Sequence, residues 1–186
     1  MLKQLLLTST ALFLISGCVT KEIVYQPVSS MVEIESHTFA GETLTATPKV
    51  SQLVKEIKNL ETNTAYIDLN SNQNVRVGDF LNISATPNQR GYLKLIIIDP
   101  NGEKKLVLPN SISQGYLEAN KRFSTNNEAF ALKSTKPRGL HYVVVVFSEQ
   151  NVNMVMQERD FTETLQRIKN QEYGRSHISI FPMRIY

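Results

Sequence analysis

The chain is poor in the residues that commonly build covalent and catalytic sites. Its 186 residues include one cysteine, three histidines and no tryptophan. A lone cysteine excludes an intrachain disulfide, so the fold must rest on its hydrophobic core. The 20 Lys and Arg residues nearly balance the 17 Asp and Glu residues. They form no dense basic run, which excludes the charge footprint of a nucleic-acid-binding protein.

The arrangements that support catalysis or metal binding are also missing. There is no Gly-x-Ser-x-Gly motif, and the eight glycines are scattered at predicted turns instead of forming a phosphate loop. His37, His141 and His177 lack the short paired spacing of a metal site. We predict no catalytic residue, no metal and no enzyme activity, and we expect His141 to be a partly buried, hydrogen-bonded strand residue. A glycosidase-type carboxylate pair stays open, because its two members need only meet in space.

The N-terminus has the layout of a bacterial secretory signal. Lys3 gives a positive start, residues 5–15 are apolar apart from small hydroxyl residues, and Ile15-Ser16-Gly17-Cys18 follows. The apolar run is too short for a membrane-spanning helix, which needs about 20 residues. An ordinary secretory signal would end in an Ala-x-Ala-like cleavage site, and none is present. The other alternative, a buried structural cysteine, would be unusual at this N-terminus. We predict a signal peptide over residues 1–17, cleaved between Gly17 and Cys18.

The four residues before and at this cleavage point resemble a bacterial lipobox. The resemblance implies that Cys18 becomes the first residue of the mature protein and carries a covalent N-acyl group and an S-diacylglycerol lipid. In similar proteobacterial lipoproteins an Asp at the next position retains the protein at the inner membrane, so Val19 implies the periplasmic face of the outer membrane. Each buried CH2 of an acyl chain contributes about 0.8 kcal/mol to anchoring.

Removing residues 1–17 from the 186 leaves 169 residues, and the net charge falls from +3 to +2 because Lys3 is lost. We predict a lipidated N-terminus and extended tether over residues 18–47, which are rich in Ser, Thr, Glu and Val. The tether is either a flexible spacer or a strand donated to a partner, since parts of it alternate in polarity. Residues 48–186 then form a single globular domain.

Two amphipathic helices are predicted in this domain. Thr47 and Pro48 start the first, whose apolar residues recur at helical spacing from Val50 to Leu60 and pack on the domain or on a partner. The second begins near Asp160, where Asp160 and Glu163 fit a capping box, and ends at Gly174. A last strand covers residues 176–186, so the helix and strand together occupy residues 160–186.

The rest of the domain has the period of two that is typical of strands. Residues 65–69, 80–85 and 103–108 alternate, and a further short strand holds Phe130 and Leu132. Residues 92–98 and 140–147 are apolar on nearly both faces, which predicts central strands covered by a second sheet or by the two helices. The fold class is therefore mainly β (α+β), an antiparallel β-sandwich-like domain with two flanking amphipathic helices. The long segment 109–127 is predicted to be a functional or disordered loop.

Two turns connect these strands. Gly78-Asp79 forms one, and Asp99-Pro100-Asn101-Gly102 forms a hairpin in which Pro100 presets φ near about −65° and Gly102 takes a positive φ. Both aspartates are expected to accept backbone N–H bonds. A calcium loop is the alternative, but the spaced acidic residues and distal Glu of such a loop are missing.

Four segments in order carry a family resemblance: Val77-Gly78-Asp79, Gly91-Tyr92-Leu93-Lys94-Leu95, Asp99-Pro100-Asn101-Gly102 and Leu108-Pro109-Asn110. They resemble a bacterial domain of unknown function found in envelope lipoproteins and in extracytoplasmic parts of larger proteins. Leu108 replaces the usual Phe, and Gly115 corresponds to a glycine often seen before the next strand. The similarity covers residues 64–150. It implies a compact β-sandwich-like domain with an accessory role, and the family has no established catalytic residues.

Together these observations predict an outer-membrane-anchored periplasmic lipoprotein that is a structural, assembly or accessory subunit of an envelope complex such as a secretion system. The alternative is an envelope lipoprotein that binds a ligand, peptidoglycan or lipid. The expected partners are the membrane, through the lipid, and other envelope proteins. Whether the chain forms an oligomer within a larger complex stays open. A basic set could face an anionic partner or simply be solvated: Lys121, Arg122, Lys133, Lys136 and Arg138.

Overall fold

The fold is organised around a seven-stranded sheet built on the most apolar segments of the chain. The computed structural model describes residues 33–126 and 131–186. In chain order the elements are β1 (Ser36–Phe39), β2 (Glu42–Thr45), α1 (Pro48–Lys58), β3 (Thr62–Asn63), β4 (Ile67–Ser71), β5 (Asn74–Val75), β6 (Ile83–Pro87), β7 (Gly91–Ile98), β8 (Lys104–Leu108), β9 (Tyr116–Leu117), β10 (Phe123–Ser124), β11 (Gly139–Ser148), α2 (Glu158–Lys169) and β12 (Ser176–Ile185).

The two predicted central strands, β7 and β11, lie side by side in this sheet. The order is β3-β12-β11-β7-β8, with β9 also paired to β7 and β5 paired in parallel to β12. Val144 of β11 lies opposite Ile96 on one side and Ile180 on the other. A strand covered on both faces must be apolar on both faces, so the central placement is confirmed.

One face of the large sheet packs on a small sheet of order β10-β6-β4, which forms the sandwich. The large sheet contributes Leu93, Leu95, Val143, Val145 and Phe147 to this inner core. These are alternate residues of β7 and β11, as the pleat of a strand requires.

The two helices cover the opposite face. Residues Ile96, Ile98, Val144 and Val146 of the large sheet meet Val54, Ile57, Phe161, Leu165 and Ile168 of the helices. The two covers considered from the sequence, a sheet and the helices, are thus both present, one on each face. The predicted fold class, a mainly β sandwich-like domain with two flanking amphipathic helices, is confirmed.

Helix α1 begins where its sequence signals place it. The Oγ1 of Thr47 accepts a hydrogen bond from the Val50 N–H at 3.3 Å, and Pro48 occupies the first turn. The apolar stripe of α1 packs on the domain, with Val54 and Ile57 fully buried. The cap and the stripe agree, so local and tertiary signals define the same helix.

The predicted tether is wrong over its last part, because β1 and β2 form a hairpin on the helix-covered side of the sheet. Phe39 is 4% exposed and belongs to that core. The hairpin also pairs Ser36 with Thr45 and Thr38 with Thr43 through their hydroxyls at its exposed surface. The Ser/Thr-rich composition predicted a flexible segment, whereas the segment forms a strand pair that Phe39 fixes to the core. The domain begins before residue 36 and not at residue 48, and residues 1–32 lie outside the described part.

Both predicted ends of helix α2 need correction. The helix starts at Glu158 with Gln157 as N-cap and no side-chain cap bond, so Asp160 is inside the helix instead of capping it. It ends before Gly174, because Gln171 adopts a φ of 62°. The Gln171 N–H donates to the Ile168 carbonyl at 2.9 Å, and the Glu172 N–H to the Arg167 carbonyl at 3.1 Å. This is a Schellman ending without glycine.

Smaller differences concern the strand edges and the long loop. The predicted strand 80–85 is shifted to Ile83–Pro87, since Phe80 forms an isolated bridge with Lys133. Segment 109–127 contains β9 and β10, which pair with β7 and β6. Phe130 lies outside the described residues, and Leu132 joins Leu81 and Thr125 through main-chain bonds instead of lying in a strand.

Candidate functional site

A cavity of about 210 Å³ lies against the large sheet, where the edge strand β8 approaches Leu81 and residues 132–137. Its apolar wall is formed by Leu81, Ile97, Val107, Leu132, Pro137 and Ile185. Its polar lining includes a buried histidine, a buried serine and several charged side chains. Among the described residues this is a place where apolar and titratable groups face a common space, so it is the candidate site.

The apolar wall is a product of the sandwich. Ile97 and Val107 come from β7 and β8, on the face of the large sheet that packs on the small one. Leu81 and Leu132 close the opposite side, and the Leu81 N–H donates to the Leu132 carbonyl at 2.8 Å. These residues lie far apart in sequence, so only the packed layers bring them to one cavity.

His141 supplies the buried polar group of the cavity. It is 3% exposed, and its Nδ1 lies 3.1 Å from the Gly139 carbonyl oxygen. Since a carbonyl can only accept, Nδ1 carries the proton and Nε2 is the acceptor of the neutral ring. Burial lowers the pKa of His141, opposed by the Gly139 carbonyl and the Asp99 charge. The expected strand position and hydrogen bond of His141 are present, but the residue is almost fully buried instead of partly buried.

The hairpin 99–102 forms the turn that carries β8 to the edge of the cavity. The Oδ1 of Asp99 accepts the N–H groups of Asn101 at 2.8 Å and Glu103 at 2.9 Å. Gly102 has a φ of 86°, and its N–H donates to the Asp99 carbonyl at 2.9 Å. The ring of Pro100 packs against Gly139, where an added Cβ would lie 3.1 Å from the proline Cγ. The Asp99 carboxylate therefore stabilises the turn through these hydrogen bonds.

The Gly78-Asp79 turn is tied to the cavity through Ser134. The Gly78 N–H donates to both the carbonyl and the Oγ of Ser134, each at 3.1 Å. The Ser134 hydroxyl donates to the Arg76 carbonyl at 2.6 Å, and the Ser134 N–H donates to the Asp79 carbonyl at 2.9 Å. Asp79 thus acts through its main chain, in contrast to the side-chain bonds expected of it.

Ser134 is the lining residue that the sequence analysis missed. It is 3% exposed, and its partner Gly78 is 56 positions away. No local pattern links the two, and a serine near a proline reads as an ordinary turn residue. Ser134 and His141 bond to different main-chain atoms and not to each other, so they do not form a nucleophile–base pair.

The rim of the cavity carries an excess of positive charge. Lys105, Lys133 and Lys136 line it together with Glu103 and Asp99. The Nζ of Lys133 lies 5.3 Å from the centroid of the Phe80 ring. Three lysines and two carboxylates leave one positive charge in excess at this mouth, which favours an acidic neighbour.

The predicted basic set does not form one surface. Only Lys133 and Lys136 reach the cavity. Lys121 pairs with Glu118, and an Nη2 of Arg122 donates to the Ser84 Oγ at 3.1 Å. Arg138 lines a separate depression near the hairpin β1–β2. The five basic residues are thus close in sequence, but their side chains lie at different places on the surface.

Within residues 33–126 and 131–186, no three His, Cys, Asp or Glu side chains are placed to hold a metal ion. No helix in those ranges is long and apolar enough to cross a membrane. Gly17 and Cys18, the predicted cleavage and lipidation residues, lie outside the described residues.

Comparison with protein families places a domain of unknown function in the middle of the chain. The family described as Domain of unknown function (DUF4384) matches residues 74–151. This span includes β5 to β11, and so most of the cavity and both predicted turns. No curated protein matches the chain significantly.

Solved structures give distant similarities. The sulfur carrier protein SoxY from Chlorobium limicola f thiosulfatophilum is 11% identical with a TM-score of 0.35, covering 68% of this chain and 82% of its own. A superoxide reductase (neelaredoxin) from Ignicoccus hospitalis is 10% identical with a TM-score of 0.36, covering 70% and 86%. A CARDB domain from Pyrococcus furiosus is 12% identical with a TM-score of 0.32, covering 70% and 96%.

Proposed function

We propose that this chain is an outer-membrane lipoprotein on the periplasmic face that acts as a non-enzymatic accessory or assembly subunit of an envelope complex such as a secretion system. The observation that carries the proposal is the small cavity between the large sheet and residues 132–137, which suits the insertion of one side chain from a partner protein. The lipid on Cys18 would hold the domain at the membrane while the cavity engages the partner.

The volume of this cavity supports a contact with one side chain of a protein partner. Pockets for whole small ligands usually enclose about 300–1,000 Å³, and this cavity measures about 210 Å³. Interface anchors are side chains that fill pockets of this kind. The volume therefore favours a protein partner over a carrier of lipid, peptidoglycan or a soluble ligand.

The lining of the cavity indicates which side chain would fit. An apolar ring would contact Leu81, Ile97 and Val107, and a hydroxyl at its tip would donate to the Nε2 of His141. Tyrosine has this form, and it is common among interface anchors. Acidic residues flanking it would meet the lysines of the rim.

Strand addition to β8 is the less favoured way to dock. The strand has only five residues and begins with Lys104 and Lys105. Its pairing with β7 also shifts register between Leu95 and Ile96. Short length, lysines and irregular register are the features that keep edge strands from pairing with other chains. We therefore place the contact in the cavity and not along the edge.

The test fills the cavity with a larger side chain. Leu132→Trp adds an indole at a half-buried lining position, whereas Ile112→Trp adds the same group at a residue that is 67% exposed. The chain has no other tryptophan, so emission wavelength reports directly whether each indole is buried. Both variants and the wild type are purified with their lipid from detergent extracts after crosslinking and compared by mass spectrometry.

We expect the Leu132→Trp protein to emit at a shorter wavelength and to lose a partner that the wild type and Ile112→Trp retain. Circular dichroism controls for folding of each variant. Recovery of the same partners by all three proteins would refute the proposal, as would a wild-type chain that crosslinks only as a lone monomer.

A further inference from the structure

A second site lies on the other face of β7, at Lys94. Side chains alternate across a strand, so Leu93 and Leu95 enter the core between the two sheets while Lys94 faces the side covered by the helices. Lys94 is 1% exposed, although it carries an ammonium group. The site is thus separated from the cavity by the thickness of the large sheet.

The ammonium group of Lys94 has few partners. Its Nζ donates to the Oδ1 of Asn151 at 2.8 Å and lies 5.7 Å from the ring centroid of Tyr92. An ammonium has three donors, and within the described residues no carboxylate pairs with this one. Two N–H groups are left to be satisfied at a nearly fully buried position.

Such a lysine is costly to keep. Removing an ammonium from water without a counter-charge costs several kcal/mol, and burial lowers the pKa of Lys94 to about 8. Ile96 and Ile98 occupy the same face of β7, so an aliphatic residue suits this environment. Strongly perturbed, incompletely paired charges of this kind cluster at functional sites.

Lys94 is bordered by a pair of tyrosine rings and by the exposed Asn151. The rings of Tyr92 and Tyr116 meet edge to face with centroids 5.4 Å apart, and Tyr116 is 48% exposed. Asn151 is also exposed. Rotation of its amide exchanges Oδ1 for Nδ2, which turns the acceptor facing Lys94 into a donor. The amide N–H and the ammonium could then both donate to one acceptor group that replaces the Asn151 oxygen.

We propose that Lys94 and Asn151 form a binding site for a carboxylate group, with the Tyr92–Tyr116 pair contacting the rest of the ligand. The Nζ of Lys94 donates to one carboxylate oxygen and the Nδ2 of Asn151 donates to the other. Charge-assisted hydrogen bonds of this type are the stronger ones in proteins. The carboxylate belongs either to a small molecule or to the C-terminal end of a peptide, and the site does not depend on the partner cavity.

The test titrates the full, 15N-labelled chain in detergent with matched probes and follows the amide resonances of Lys94, Tyr92 and Asn151. Acetate is compared with acetamide, its neutral counterpart of the same shape. N-acetyl-alanyl-alanine with a free carboxylate is compared with its C-terminal amide. We expect saturable shifts with the carboxylate probes alone. Saturation by acetate indicates that a free small carboxylate suffices, and saturation by the peptide alone indicates a peptide end.

Two variants decide the assignment. Asn151→Asp places a carboxylate of the chain itself opposite Nζ, and it should weaken carboxylate binding at least tenfold. Asn153→Asp adds the same charge at an exposed residue of the same loop and should leave binding within twofold. Lys94→Met should abolish the saturable shifts. Equal shifts with acetate and acetamide, no saturation by any probe, or wild-type binding by Asn151→Asp would each overturn the proposal.

Discussion

At the scale of single residues, Lys94 links stability to pH. Burial lowers its pKa from 10.5 to about 8 in the folded chain. Between these two values the unfolded chain binds more protons than the folded one, so stability should increase with pH across that window. Below pH 8 the full cost is present, and it amounts to about 3 kcal/mol for a shift of this size.

We expect Lys94→Met to be more stable than the wild type near pH 7 by about 1–3 kcal/mol, because the thioether needs no hydration. The difference should shrink as the pH rises from 8 to above 10.5, because beyond that value the wild-type lysine is neutral in both states. Urea unfolding at several pH values measures it, with Lys105→Met at an exposed rim position as control. A stability difference that does not change with pH would show that the charge of Lys94 does not lower the stability of the fold.

Gly115 shows why a loop glycine can be decisive. It has a φ of 75°, its carbonyl accepts the Leu93 N–H at 2.7 Å, and an added Cβ would lie 2.2 Å from the Leu93 oxygen. The main chain can approach β7 this closely only without a side chain. The family resemblance associated a glycine with this position, and the structure supplies the steric reason.

At the scale of elements, the hairpin β1–β2 belongs to the domain through one aromatic side chain. Phe39 is 4% exposed in the helix-side core. We expect Phe39→Ala to lower the free energy of unfolding by about 3–5 kcal/mol, as for other buried phenylalanines. Thr38→Ala, at an exposed neighbour, should change it by less than about 0.5 kcal/mol. Urea denaturation of both variants tests this, and equal stability would restore the reading of these residues as a tether.

The two helices differ in how far local signals determine their ends. At α1 the cap, the proline and the apolar stripe all indicate the same start, and the Thr47 cap bond is formed. At α2 the side chain of Asp160 could cap, but the Phe161 N–H donates to the Gln157 carbonyl at 2.8 Å, so the first turn already contains Asp160.

At the scale of the whole molecule, the lipid proposed on Cys18 would link the domain to a membrane. We expect Cys18→Ser to abolish lipidation, so that the chain accumulates as an uncleaved precursor or in a soluble form. Membrane fractionation and the intact mass of the purified chain measure this. The wild type should lack residues 1–17 and carry the mass of the acyl chains. Normal fractionation and normal mass of the variant would refute the anchor.

Local patterns in the sequence were sufficient for much of the architecture. The unbroken apolar runs of β7 and β11 predicted central strands, the period of 3.6 predicted both helices, and Asp99 to Gly102 predicted the hairpin that the structure contains. Each of these features depends on neighbours within a few residues, and the hydrophobic effect acts on them in nearly any compact arrangement.

Only the tertiary structure decided the features that depend on distant residues. The cavity exists because β7, β8, β11 and β12 meet segments around Leu81 and Ser134. Lys94 reads as one more residue of an apolar strand until Asn151, 57 positions away, is placed beside it. The hairpin β1–β2 belongs to the domain because Phe39 packs in the helix-side core, against residues that are distant in sequence. Contacts across such separations leave no local period, because packing and not propensity selects them.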